Sequence, residues 1–189
     1  MFVLIVVLII IVLAVLFFIF AYNGVVKLRN RVDQAWSQIG VQLTRRHDLI
    51  PNLVETVKGY ASHEKNTLEA VVQARNSAVQ AQQSSQAGPA AQAQAENVLT
   101  GALRQLFAVA EAYPDLKANQ NFSQLQEELT STENRIGFAR QNYNNVVENY
   151  NTRLQSFPTV MIAGMFGFQQ EPFFGVTDAA DREPVQVKF

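Results

Sequence analysis

The sequence predicts an all-α protein: an N-terminal transmembrane helix continuing into an elongated antiparallel helical bundle, with an irregular Phe/Gly-rich C-terminal tail. Three observations predict it. From Phe2 to Ala21 every residue is apolar, twenty in a row. After that run, apolar and bulky residues recur in steps of three and four, the period of a helix that buries one stripe. Beyond Pro158 the period stops, and phenylalanines appear among glycines and prolines. The expected divisions are 1–22 as the anchor, 23–158 as the bundle domain and 159–189 as the tail.

At about 1.5 Å of rise per residue, the opening run spans roughly 30 Å, the thickness of a bilayer's hydrocarbon core. A cleaved secretory signal would need a basic start, a shorter apolar stretch and a small-residue cleavage site. Here the run is long, and it is followed by Tyr22-Asn23-Gly24-Val25 with no Ala-x-Ala pattern. Lys27, Arg29, Arg31, Arg45 and Arg46 all lie downstream of it. By the positive-inside rule the N-terminus is then expected outside and the body in the cytoplasm.

The rest of the 189 residues suffices for one modest domain. Mean hydropathy near zero averages two unlike parts, because the chain after the run is rich in Gln, Asn and Ala. A net charge of -1 and a pI of about 6.1 give no electrostatic case for a nucleic-acid partner. With no cysteine there are no disulfides and no thiolate metal ligands.

In the first body helix the seam is Val32, Trp36, Ile39, Leu43, Ile50, Leu53, Val57 and Tyr60, with Arg46 in the gap. The register carries through Pro51, which predicts one long helix bent where the proline removes an amide donor and crowds the His47 carbonyl. The alternative is a new helix starting at Leu49 with Asp48 as its cap. Gly59 weakens this helix near its end, and Ser62 and Glu64 offer a cap and a first-turn acid to the next, expected to run to about Gln83 with Leu68, Val71, Val72 and Val79 on its stripe. A polar turn at 84–89 precedes a helix from about Ala90, whose stripe of Val98, Leu99, Leu103, Leu106, Phe107 and Ala110 leads to an end forced by Pro114. The last helix reads Phe122, Leu125, Leu129, Thr132, Ile136, Ala139, Tyr143, Val146, Tyr150, Leu154, Phe157 and is closed by Pro158. At about 36 residues it would reach roughly 54 Å, matching the helix from Tyr22 to Tyr60.

Phe166, Phe168, Phe173, Phe174 and Phe189 make the tail too apolar to hang free and too broken for a regular helix. They either cover the end of the bundle or dock on a neighbouring protomer or at the bilayer interface. Two arginines also require an account. Arg46 falls on the seam and Arg140 sits on the last helix, each as a snorkelling stem or in a buried pair to Glu111, Asp48 or Glu133. Asn142, Asn144, Asn145, Asn149 and Asn151 flank the tyrosines of that helix, either solvated or fixing the register of a helix that mates with copies of itself.

No catalytic constellation is legible. His47 and His63 stand apart, and His63-Glu64 lacks the second histidine of a zinc-protease motif, since residue 67 is Thr. There is no Gly-x-Ser-x-Gly, Walker A or dinucleotide glycine pattern. Glu127, Glu128 and Glu133 read as a solvated face with local partners such as Arg135. No cofactor or metal site is expected.

The run Arg45-Arg46-His47-Asp48-Leu49-Ile50-Pro51-Asn52-Leu53-Val54, followed by Val57-Lys58-Gly59-Tyr60-Ala61 and His63-Glu64, resembles the LemA family of bacterial membrane proteins. Ala35-Trp36, the stretch from Glu111 through Tyr113-Pro114-Asp115-Leu116 to Asn119, Thr132-Glu133-Asn134, Tyr150-Asn151 and Phe157-Pro158 agree in order. The resemblance covers nearly the whole chain. It implies a single-pass protein of the bacterial inner membrane with an external N-terminus and a cytoplasmic helical domain, associated with envelope and stress contexts and sometimes with membrane proteases. It implies no reaction.

The expectation is therefore a non-catalytic scaffold that homo-oligomerises on the lipid bilayer, possibilities for its role being envelope stress or membrane organisation. The alternative is an adaptor for a membrane-protein client. The residues expected to carry either role are Trp36, Arg46, Asp48, Pro51, Arg140, Tyr143, Phe166, Phe168 and Phe174.

Overall fold

The apolar run and the first body helix are one element. In the computed structural model, which describes residues 1–84 and 88–175, helix α1 runs unbroken over Phe2–Lys58. It is followed by α2 (Lys65–Gln83), α3 (Gly88–Ala110), α4 (Pro114–Lys117), α5 (Gln120–Gln155) and α6 (Thr159–Phe166). The described residues are all-α, with no strand. Residues 2–20 of α1 are exposed throughout, and this part is long and apolar enough to cross a membrane. Pro51 lies inside α1, so Asp48 caps no new helix.

The chain divides into two compact units, residues 1–40 with 138–172 and residues 41–137 with 173–189. In the first, burial on α1 begins at Ala21 and continues through Val25, Val32, Ala35 and Ile39. Steps of three, four and seven keep these side chains on one stripe. Trp36 is only half-buried, its ring 5.3 Å from that of Tyr143. Tyr143, Val147, Tyr150 and Leu154 supply the buried stripe of α5, with Val147 inward where the sequence suggested Val146. Phe157, expected on the same stripe, is 81% exposed because α5 has ended at Gln155.

The tail is more regular than its composition suggests. Thr159 to Phe166 form a helix because no strong breaker interrupts Thr-Val-Met-Ile-Ala, and Gly164 falls late enough to be carried. Gly167 then ends it at φ +69, where a side chain would be strained, and the Phe168 N–H donates to the Ala163 carbonyl at 3.0 Å.

In the second unit five helical segments share one core. Ile50, Leu53 and Val57 of α1 meet Leu68, Val71, Ala74 and Ala78 of α2, Leu99, Leu103 and Leu106 of α3, Leu116 of α4, and Phe122 and Leu129 of α5. Several expected stripe members lie outside it: Val72, Val98 and Tyr60 are exposed. Ser62 does not cap α2; Glu64 occupies that position without a side-chain cap bond. Pro114 ends the preceding helix and also opens α4, as a proline at the first helical position can. Asn119 caps α5, its Oδ1 accepting from the Phe122 N–H at 3.0 Å.

Candidate functional site

The second unit contains a buried ionic cluster built on Arg46-His47. Consecutive residues of a helix diverge by about 100°, yet a stripe of ordinary width admits both, and both are buried. Their common partner is Glu96 of α3. Arg46 Nη1 donates to Glu96 Oε2 at 3.2 Å, and His47 Nε2 lies 2.8 Å from Oε1. Gln92, one turn earlier on α3, donates to the same Oε1 at 2.9 Å. Arg46 Nη2 donates to Thr100 Oγ1 at 2.8 Å and sits 3.3 Å from Glu133 of α5, whose carboxylate is half exposed. Removing such charges from water is costly, and here Arg46 is met by two carboxylates and the Thr100 hydroxyl, and Glu96 by Arg46, His47 and the Gln92 amide.

Pro51 enters the same cluster through the backbone. A proline has no N–H to give the carbonyl four residues earlier, so the His47 C=O has no helical partner. Arg75 Nε of α2 donates to it at 3.2 Å. The Arg46-His47…Pro51 spacing thus ties α1 to α2 by a bond that the proline makes available, and to α3 and α5 by charge.

The Glu111–Asn119 stretch is framework too. Tyr113 donates to Glu64 Oε1 at 3.2 Å, and its phenol is pushed up by burial and then by that bond and the charge of the carboxylate. Leu116 is fully buried, Lys117 pairs with Glu111, and Asn119 donates to the Tyr60 hydroxyl at 2.9 Å while capping α5.

Beside Arg46 opens a cavity of about 230 Å3, walled by Leu103, Phe107 and Leu129 and edged by Arg104, Thr100 and Glu133. It is smaller than the usual small-molecule site of about 300 to 1,000 Å3. The nearest charged groups already face one another.

The first unit has a neutral counterpart. Tyr143 donates to the Pro172 carbonyl at 3.0 Å. The Asn151 amide donates to the Glu171 carbonyl and accepts from the Glu171 N–H, both at 2.9 Å. These three bonds hold the segment after α6 against α5. Burial lifts the Tyr143 phenol to about 12, with help from the Glu171 and Asp33 carboxylates. Tyr22, at the end of the apolar run, packs its ring 4.8 Å from Phe166 and 5.7 Å from Phe168.

The residues singled out from sequence therefore fall into different settings. Trp36 and Tyr143 are brought together, as are Phe166 and Phe168 on Tyr22. Arg46 is buried with Glu96 and also pairs with the half-exposed Glu133, while Asp48, Pro51 and Arg140 have exposed side chains. Phe174 is buried in the second unit, and Phe189 lies outside the described residues. Glu111 pairs with Lys117 instead of with either arginine, and Glu128 with Arg45 at 3.9 Å instead of with Arg135. Glu96 escaped sequence reasoning although a signal existed: it is the sole charged residue between Arg75 and Arg104.

Comparison with known proteins shows relatives of this chain. The chain is 26% identical to Protein LemA of Metamycoplasma hominis, over 75% of its own length and 63% of the relative's. It is 25% identical to Magnetosome protein MamQ 2 of Paramagnetospirillum magneticum and 24% identical to Magnetosome protein MamQ of Magnetospirillum gryphiswaldense, in each case over 85% of its own length and 66% of theirs. The chain thus spans a little under two thirds of the length of the curated relatives it matches. Residues 35–189, a range that contains both the Arg46-His47 and the Tyr113-Pro114 segments of this chain, match the LemA family, and the chain belongs to that family.

Proposed function

We propose that this chain is a non-catalytic scaffold, anchored in the bacterial inner membrane by residues 2–21, that self-associates there and organises the membrane or its response to envelope stress. The observation that carries the reading is the unbroken helix Phe2–Lys58, exposed and apolar over residues 2–20 and buried on one stripe from Ala21 onward. Within the first unit this helix carries the packed stripe straight on from the anchor, so association of bodies gathers anchors in the bilayer. The expected elongated antiparallel bundle, the external N-terminus and the cytoplasmic body belong to this reading. Supporting a framework role, the buried polar groups are engaged within the core: Arg46, His47 and Gln92 all bind Glu96. The relatives named for the magnetosome carry the name of a cellular structure, not of a reaction.

The test is recovery of two differently tagged copies together from native membranes. Co-isolation that survives dilution after solubilisation supports self-association, and failure to recover the second tag contradicts it. A second reading, an adaptor for one membrane-protein client, is favoured by a groove of about 590 Å3 lined by Val54, Leu68 and Val72 between Lys58, Lys65 and Glu69. Crosslinking from Val72→Cys in cells would enrich one heterologous protein on that reading and none on the first.

A further inference from the structure

Helix α6 is apolar all the way round. Thr159, Ile162 and Ala163 are buried, as one stripe of a helix packed on a protein should be. The opposite side ought to be polar in water, yet it presents Val160, Met161, Met165 and Phe166, with Phe157 just before the helix. Met165 is 72% exposed. No Asp, Glu, Lys or Arg occurs anywhere between Arg153 and Glu171. Such a surface has a non-aqueous neighbour.

Its place in the first unit identifies that neighbour. Tyr22 follows directly on the last residue of the apolar run, the depth at which tyrosines mark the boundary between lipid and water. Phe166 and Phe168 pack on the Tyr22 ring at 4.8 and 5.7 Å. The outward face of α6 is therefore continuous with the exposed apolar surface of the anchor. Lys27, Arg29 and Arg31 follow within three turns of Tyr22 on α1 and are exposed, and Arg153 lines a cavity with Arg31. Basic side chains set just beyond an apolar surface suit anionic headgroups.

From this we infer that α6 is a second membrane contact: an interfacial helix whose outward face, Phe157, Val160, Met161, Met165 and Phe166, seats in the headgroup and upper acyl region of the bilayer beside the anchor. The inference rests on the anchoring reading above. It turns a single-point tether into a two-point one and fixes the rotation of the first unit about the anchor axis. Asn151 and Tyr143, which pin residues 171 and 172, hold α6 in that pose.

The chain has no cysteine, so single-cysteine labelling needs no background removal. An environment-sensitive fluorophore is placed on full-length Met165→Cys, on Leu13→Cys in the anchor and on Asn145→Cys, an exposed site of α5. Each is reconstituted below one chain per vesicle in mixed zwitterionic and anionic phospholipid, with nitroxide lipids labelled near the headgroup or deep in the chains. A label seated about 5–10 Å into the interface at Met165 is quenched roughly threefold more by the shallow nitroxide than the label at Asn145, and Leu13 is quenched by the deep one. Quenching at Leu13 with Met165 indistinguishable from Asn145 overturns the second contact and leaves the anchor. Absence of quenching at both overturns both. A blue-shifted Met165 label that neither nitroxide reaches means that protein covers α6, which also overturns the inference. Should Met165→Cys lose helix content, Met161→Cys gives the same reading.

Discussion

The two compact units solve the burial of polar groups differently. In residues 41–137 with 173–189 the buried set includes Arg46, His47 and Glu96, full or potential charges that need one another. In residues 1–40 with 138–172, among the described residues, the buried polar side chains are the neutral Asn151 and Thr159, alongside the tyrosines 143 and 150. The difference teaches where each unit is rigid. A buried charge cluster is costly to break, because the ion that remains loses a buried counter-charge. A neutral cluster fails gradually, one hydrogen bond or ring contact at a time. The unit that carries the apolar anchor is thus the one able to adjust, and the unit of charges is the one that fixes helix register.

The comparison breaks most sharply at Glu96. Glu96→Ala leaves Arg46 only the half-exposed Glu133 as a counter-charge and is expected to cost about 3 kcal/mol in urea unfolding, whereas the double variant Arg46→Met with Glu96→Leu recovers most of that loss. A single variant that unfolds like the wild type would show that the cluster is not a unit. In the anchor-bearing unit a smaller effect is expected at Trp36. Complete burial would predict about 3–5 kcal/mol for Trp36→Ala, and the half-buried ring lowers this to about 2 kcal/mol, read as a lower melting temperature.

Alkaline pH probes the anchor-bearing unit at Tyr143 without mutation. The Tyr143 phenol, ordinarily near 10.0, is held at about 12 in the folded protein. Folding thus favours its protonated form, so this stability is complete below pH 10 and is lost as pH rises towards 12. Fluorescence from Trp36, in ring contact with Tyr143, should change over that window. In Tyr143→Phe the base-induced transition is expected to move upward; an unmoved transition would exclude Tyr143 as its origin.

The smallest expected effect concerns Pro51. Arg75→Met removes the donor to the His47 carbonyl and should cost about 1 kcal/mol. In a Pro51→Ala background the helix supplies its own donor, and the same substitution should cost close to nothing. Equal costs in both backgrounds would mean that Arg75 acts through packing alone.

What could be read from sequence, and what could not, follows from periodicity. The anchor, the long first helix and the stripe Phe122, Leu129, Ile136, Tyr143, Tyr150 were legible because each repeats a step many times, so single errors such as Val146 for Val147 hardly matter. Short elements carry too few steps: α4 has four residues, and α6 was hidden because Gly164 and Gly167 read as breaks although only Gly167 ends a helix. The ionic cluster was half visible. Arg46 stood out on the seam, but its partner fifty residues away is fixed by tertiary packing, and only the scarcity of charge around Glu96 marks it. Asn151 stood out only as one of several asparagines beside the tyrosines, and its partner, the backbone of Glu171 in an irregular segment, has no sequence signal.

The central proposal is that copies of the chain associate at the membrane, each carried on the apolar segment of α1. The most direct measurement is the number of copies per particle for the full-length protein in lipid nanodiscs, by single-particle mass over a wide range of protein-to-lipid ratios. The account predicts discrete oligomers that persist when empty nanodiscs are in excess. One copy per nanodisc across the whole range would contradict it.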